Sequence, residues 1–90
     1  MSINTLKIRG KRWKSKDVES LKEGLLGLCD YEDKTIIAPF EGDELHELDT
    51  IIHECLHAGY PDLNEEAIDE FATDLANILW KLNWRKVIDD

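Results

Sequence analysis

The sequence predicts an α+β fold in which a small antiparallel or mixed three-stranded sheet is followed by two packed helices. Three observations predict it. Apolar and polar residues alternate over 3–9, a β-branched run spans 34–38, and the stretch from about 43 to 83 carries two helical apolar patterns separated by Gly59 and Pro61. With 90 residues, 42% of them hydrophobic, there is apolar surface enough for one core and too little for two, so residues 1–90 are read as a single domain.

The elements follow in order. From Ile3 to Arg9, Leu6 and Ile8 alternate with Lys7 and Arg9, the pattern of a half-buried strand. Gly10-Lys11 predicts a tight turn, and Arg12 to Ser15 a partner strand with Trp13 inward. Between Asp17 and Leu28, Val18, Leu21, Leu25 and Leu28 have helical spacing, but Gly24 and Gly27 weaken it, so a short or irregular helix is expected. Asp30 to Asp33 reads as a turn, and Lys34 to Ala38 as a strand stopped by Pro39. Gly42-Asp43 opens a helix to about Ala58, with Asp43, Glu44 and Glu47 at the positive end of its dipole and Gly59 and Pro61 closing it. Asp62 or Asn64 caps a second helix to about Asn83, whose Ile68, Phe71, Leu75, Ile78, Leu79 and Leu82 form one apolar stripe for the core.

Charge narrows the partners. The net charge is −9, yet residues 1–16 hold Lys7, Arg9, Lys11, Arg12, Lys14 and Lys16 without an acid, so the remainder is strongly acidic. Such a surface argues against a nucleic-acid partner, and the basic run reads as the solvated face of the sheet. No stretch has the length of a membrane span and no apolar run follows the N-terminal charges, so the expected compartment is the cytoplasm. Cys29 and Cys55 read as buried reduced thiols, with a disulfide, or a ligand role for Cys55, as the alternative.

The chemistry lies in His53-Glu54-Cys55-Leu56-His57. Histidines four apart on a helix share a face, so both imidazoles can reach one metal ion. The glutamate after the first histidine projects about 100° further round the helix, close to the metal without being a ligand. Zinc brings the pKa of a bound water to about 7, and a glutamate so placed can take its proton as the water attacks a carbonyl. His53 and His57 are therefore candidate zinc ligands and Glu54 the candidate general base. A catalytic zinc needs a third protein ligand and an open fourth position. Glu65, Glu66, Asp69 and Glu70 are the available carboxylates. At about 100° per residue, Glu65 and Asp69 fall at the margin of the apolar stripe, beside Ala72 and Ala76, while Glu66 and Glu70 face water. Glu65 is the expected third ligand, and Asp69, one turn later, can accept a hydrogen bond from a ligand histidine.

The run Asn64-Glu65-Glu66-Ala67-Ile68-Asp69 resembles the Asn-Glu-x-x-x-Asp element that follows His-Glu-x-x-His in gluzincins of the thermolysin type. The resemblance implies Glu65 as ligand and Asp69 as support for the first histidine, in agreement with the periodicity. Only seven residues separate His57 from Glu65, far fewer than in thermolysin. That spacing is similar to compact zincins of the ImmA/IrrE and SprT kinds and to small metallopeptidase-like proteins common in phage genomes, for which the compartment would be the host cytoplasm. The stretch from Thr50 to Trp84 resembles this last group most. It implies a minimal zincin-like fold and a zinc-dependent peptidase acting on a peptide or protein substrate. It also implies that an extended peptide could join the strand Lys34 to Ala38 as an edge. A non-catalytic zinc-binding module acting through protein–protein interaction is the alternative, and a DNA-associated protease using the basic N-terminal hairpin is a third reading.

Further residues stay open on sequence alone. His46, two turns before His53, reads as a partly exposed helix histidine or as part of a cleft wall; Asp49 as a supporting acid or a surface one. Tyr31 and Tyr60 are both candidate donors to an oxyanion, and Trp13, Trp80 and Trp84 read as core or helix-packing residues.

Overall fold

The computed structural model describes residues 5–20 and 26–85. Strands β1 (Thr5–Ile8) and β2 (Lys11–Asp17) form an antiparallel hairpin, followed by one 3-10 turn at Val18–Ser20. Strands β3 (Leu28–Asp30) and β4 (Thr35–Ala38) form a second hairpin, and helices α1 (Leu45–Gly59) and α2 (Glu65–Lys81) complete the chain. The sheet order is β1-β2-β4-β3, with β2 and β4 parallel and the other pairs antiparallel. The fold is α+β, with a four-stranded mixed sheet where three strands are expected.

The extra strand is β3. Its Leu28 carries the last apolar position of the helical pattern expected over 17–28, and residues 21–25 of that expectation lie outside the described residues. Three residues are too few for periodicity to register, and the pairing of Cys29 with Ile36 decides their conformation. The turn at 31–34 forms as expected, with Asp30 Oδ1 accepting the Asp33 amide at 3.1 Å. Because β3 lies outside it, β4 is an inner strand paired on both sides. The expectation that Lys34 to Ala38 offers an edge to a peptide is therefore overturned: among the described residues the outer strands are β1 and β3.

The first hairpin turns at Arg9-Gly10, one residue earlier than expected, because Ile8 pairs with Lys11 as the last rung. Both turn residues have positive φ, 49° and 81°, which suits a two-residue loop to the twist of the strands. The strained Arg9 is held by what it reaches. Its Nη1 donates to the carbonyl of Gly59 at 3.0 Å, and its guanidinium lies 4.7 Å from the centre of the Tyr60 ring. A cation thus sits at the negative end of α1. Lys7, Arg12, Lys14 and Lys16 are exposed along the strands, and Lys14 pairs with Asp33 at 3.3 Å.

The core lies between the sheet and α1. Trp13, Ile36 and Ala38 are its buried centre, with Leu6, Ile8, Cys29, Phe40, Ile51, Cys55 and Ala58 packed round it. Both cysteines are free, and burial pushes the Cys29 thiol up to about 11. Helix α2 packs on α1 through Ile68, Ala72 and Ala76, all fully buried. This corrects the expected stripe. Small alanines let the helices approach closely, so the face that carries them turns inward, and Phe71, Ile78 and Leu82 are exposed although the sequence assigns them to the core. Trp84 is likewise exposed, whereas Trp13 is buried as expected.

Both helices are capped by side chains. Asn64 Oδ1 accepts the Ala67 amide at 2.8 Å, so Asn64 rather than Asp62 is the cap of α2. Helix α1 begins two residues later than the Gly42-Asp43 opening, because Glu47 Oε1 accepts both the Asp43 and Glu44 amides at 3.0 Å. Gly42 lies against that carboxylate so closely that any Cβ would collide with it. Gly42→Ala is accordingly expected to lower stability by about 1–2 kcal/mol, the cost of a displaced helix cap, read as a lower urea midpoint with an unchanged slope.

Candidate metal centre

Helix geometry and one cap bring the candidate ligands together. His53 and His57 stand one turn apart on α1, and the cap at Asn64 makes Glu65 the first residue of α2. The connection 60–64 reverses the chain, so that Asp49 meets Thr73, and His53 meets Asp69 and Glu65, in opposite order along the two helices. The contacts are close: His53 Nε2 is 2.9 Å from Glu65 Oε1, His57 Nε2 is 3.0 Å from Glu65 Oε2, and the two Nε2 atoms are 3.1 Å apart. The three residues expected as ligands therefore converge.

The donor set fits zinc. Bonds of about 2.0–2.2 Å in a tetrahedron put neighbouring donor atoms roughly 3.3–3.6 Å apart, so a small outward shift of these side chains would admit the ion. Asp69 Oδ1 lies 3.0 Å from His53 Nδ1. That contact places the imidazole proton on Nδ1 and turns the lone pair of Nε2 toward Glu65 and His57. Electron-pair donors held so near one another repel unless a cation lies among them. Two imidazoles and one carboxylate also leave a fourth position, and the Glu65 side chain is 62% exposed.

Glu54 is set differently. It is buried, at 9% exposed, although it is an acid adjacent to the candidate ligand His53. Burial raises its carboxyl pKa, His53 and His57 lower it, and Glu65 raises it again. Its carboxylate runs past Gly27, where an added Cβ would lie 3.0 Å from Glu54 Oε2 and 3.0 Å from the Thr50 methyl. Gly27 thus leaves the space that the carboxylate occupies. On sequence alone this glycine reads as a helix breaker; the sign of its strand setting is the short apolar run, turn and β-branched run that follow it.

The remaining candidates separate cleanly. Tyr31 donates its hydroxyl to the carbonyl of His57 at 2.9 Å, and burial is the main cause of its raised pKa, with Cys29, Glu54 and Glu65 adding to it. It therefore stands beside the cluster, whereas Tyr60 stacks under Arg9. Asp49 accepts from the Thr73 hydroxyl at 2.8 Å, so it ties the helices together and does not support a histidine. His46 lines the same cleft as Leu26, Thr50, His53, Glu54 and Asp69, a cavity of about 370 Å³. Cys55 packs against the core, its thiol pKa raised by burial, and takes no part in the cluster. Glu44, His46 and Glu47 also lie near one another at the start of α1, but there the Glu47 carboxylate already serves as the helix cap. Compared with protein-family models, curated proteins and solved structures, the chain matches none.

Two outcomes follow from this geometry. With zinc as the ion offered to the His53–His57–Glu65 cluster, Asp69→Asn should bind it roughly 10–100-fold more weakly than the unaltered chain in a competition titration, because the His53 tautomer loses its support. Gly27→Ala should displace Glu54 while leaving the His53–His57–Glu65 cluster in place. Loss of the nuclear Overhauser contact between residue 27 and the Glu54 γ-protons would register that, and an unchanged contact would contradict it.

Proposed function

We propose that this chain is a zinc-dependent peptidase of the compact zincin kind. The observation that carries the reading is the convergence of His53, His57 and Glu65 at 2.9–3.1 Å with a buried glutamate adjacent to them in sequence. In this reading the three side chains hold zinc, which supplies the positive charge that acidifies water and polarises a peptide carbonyl. Asp69 orients His53. Glu54 accepts the proton of the attacking water and passes it to the leaving amine. A raised pKa brings its carboxyl nearer neutrality, where a group can both take and return a proton.

An extended peptide would join β3, whose outer edge pairs with no other strand among the described residues and which leads back through Gly27 to Glu54. The cleft lined by Leu26, His46 and Thr50 would receive a side chain next to the scissile bond. The gluzincin-like run from Asn64 to Asp69 supports the same assignment. Among the described residues no helix is long and apolar enough to cross a membrane.

Glu54→Gln separates catalysis from binding alone. The variant should keep one zinc per chain by metal analysis while cleavage of a peptide library falls by roughly 10²–10⁴-fold. A wild-type chain that binds zinc and cleaves nothing would favour the non-catalytic module.

A further inference from the structure

We propose that the exposed apolar face of α2 is the surface on which two copies of this chain pair, helix against antiparallel helix. Three features of the face lead there. The first is exposure: Phe71, Ile78 and Leu82 are 54%, 53% and 65% exposed, and Leu75 between them is half-buried. Single exposed apolar residues are ordinary, but these four fall within about 60° of one another on the helix, a continuous stripe.

The second is spacing. Phe71, Leu75, Ile78 and Leu82 are separated by four, three and four residues, the repeat of a helix-pairing seam. The series reads the same in both directions. A second copy laid antiparallel therefore sets Phe71 against Leu82 and Leu75 against Ile78, twice over, with no side chain left unmatched. The stripe is turned by about 90° from the face that Ile68, Ala72 and Ala76 bury against α1. Pairing there leaves the α1 packing intact and lies well round the helix from Glu65.

The third is charge. Asp74 and Lys81 flank the stripe on the side away from α1, and neither pairs with the other, being seven residues apart. In the antiparallel arrangement Asp74 of each copy stands beside Lys81 of the other, giving two opposite-charge contacts related by the two-fold axis. A parallel two-fold pair would put the two Asp74 side chains on opposite flanks and bring neither beside Lys81, so only the antiparallel form makes these contacts. The surface is short, about three turns of helix, and falls at the small end of stable interfaces, so the pairing is reversible with a dissociation constant on the order of micromolar or weaker.

Sedimentation equilibrium of the full chain, from about 5 μM to 500 μM at physiological salt, tests this independently of any metal or activity. The expected result is a monomer–dimer equilibrium that Phe71→Ser with Ile78→Ser abolishes, while circular dichroism shows the variant still folded. Asp74→Lys and Lys81→Asp should each weaken self-association roughly tenfold, because opposite charges become like ones. Mixed together, those two variants should form a heterodimer at wild-type strength, since every flanking pair is then again opposite in sign. A wild-type chain that stays monomeric through the whole range overturns the proposal, as does a mixture that associates no better than its components.

Discussion

Ala72 and Ala76 are fully buried and carry nothing beyond Cβ, so α2 can lie close along α1. This close approach governs the rest of the structure. It carries the first turn of α2 over the second histidine turn of α1, where Glu65 reaches both Nε2 atoms and Asp69 reaches the far nitrogen of His53. With a longer residue at either alanine the helices would stand further apart, and one carboxylate could not span both imidazoles. The same approach sets the rotation of α2 about its axis and so leaves Phe71, Ile78 and Leu82 on the outside.

The cluster sets chemistry against stability. Glu54, Glu65 and Asp69 crowd one end of the helix pair, and burying the first of them raises its pKa. A chain of this size has little core to offset such a cost. A cation among the donors would relieve their repulsion and, being bound only by the folded chain, would stabilise the fold as well. In the proposed reading the ion thus has a structural effect and a catalytic one from the same contacts.

The sheet serves this helix pair as a platform. Strand β4, paired on both sides, buries Ile36 and Ala38 beneath α1, and the second hairpin brings Gly27 to Glu54 and Tyr31 to the carbonyl of His57. The turn of the first hairpin lies at the same end of the sheet as that of the second, because β2 and β4 are parallel, and from it Arg9 secures the last turn of α1 through Gly59. The last turn of α1, which carries His57, is therefore held by both hairpin turns, which limits how far that histidine can drift.

Local chemistry made much of this legible in the residues themselves. A histidine pair one turn apart, a carboxylate at the start of the next helix and an asparagine cap are short-range features, and helical periodicity alone distinguishes Glu65 and Asp69 from Glu66 and Glu70. Alternation likewise marks the first hairpin, and β-branching marks β4. Three-residue β3 carries no period of its own and exists because Ile36 and its neighbours lie alongside to pair with it. The burial of Ala72 in preference to Phe71 has the same kind of cause: hydrophobicity ranks the phenylalanine higher, but the separation of two helices depends on the smallest side chains between them. The choice between an edge and an inner strand, the space that Gly27 leaves for Glu54 and the outward turn of the α2 stripe all depend on partners distant in sequence, so only the packed molecule decided them.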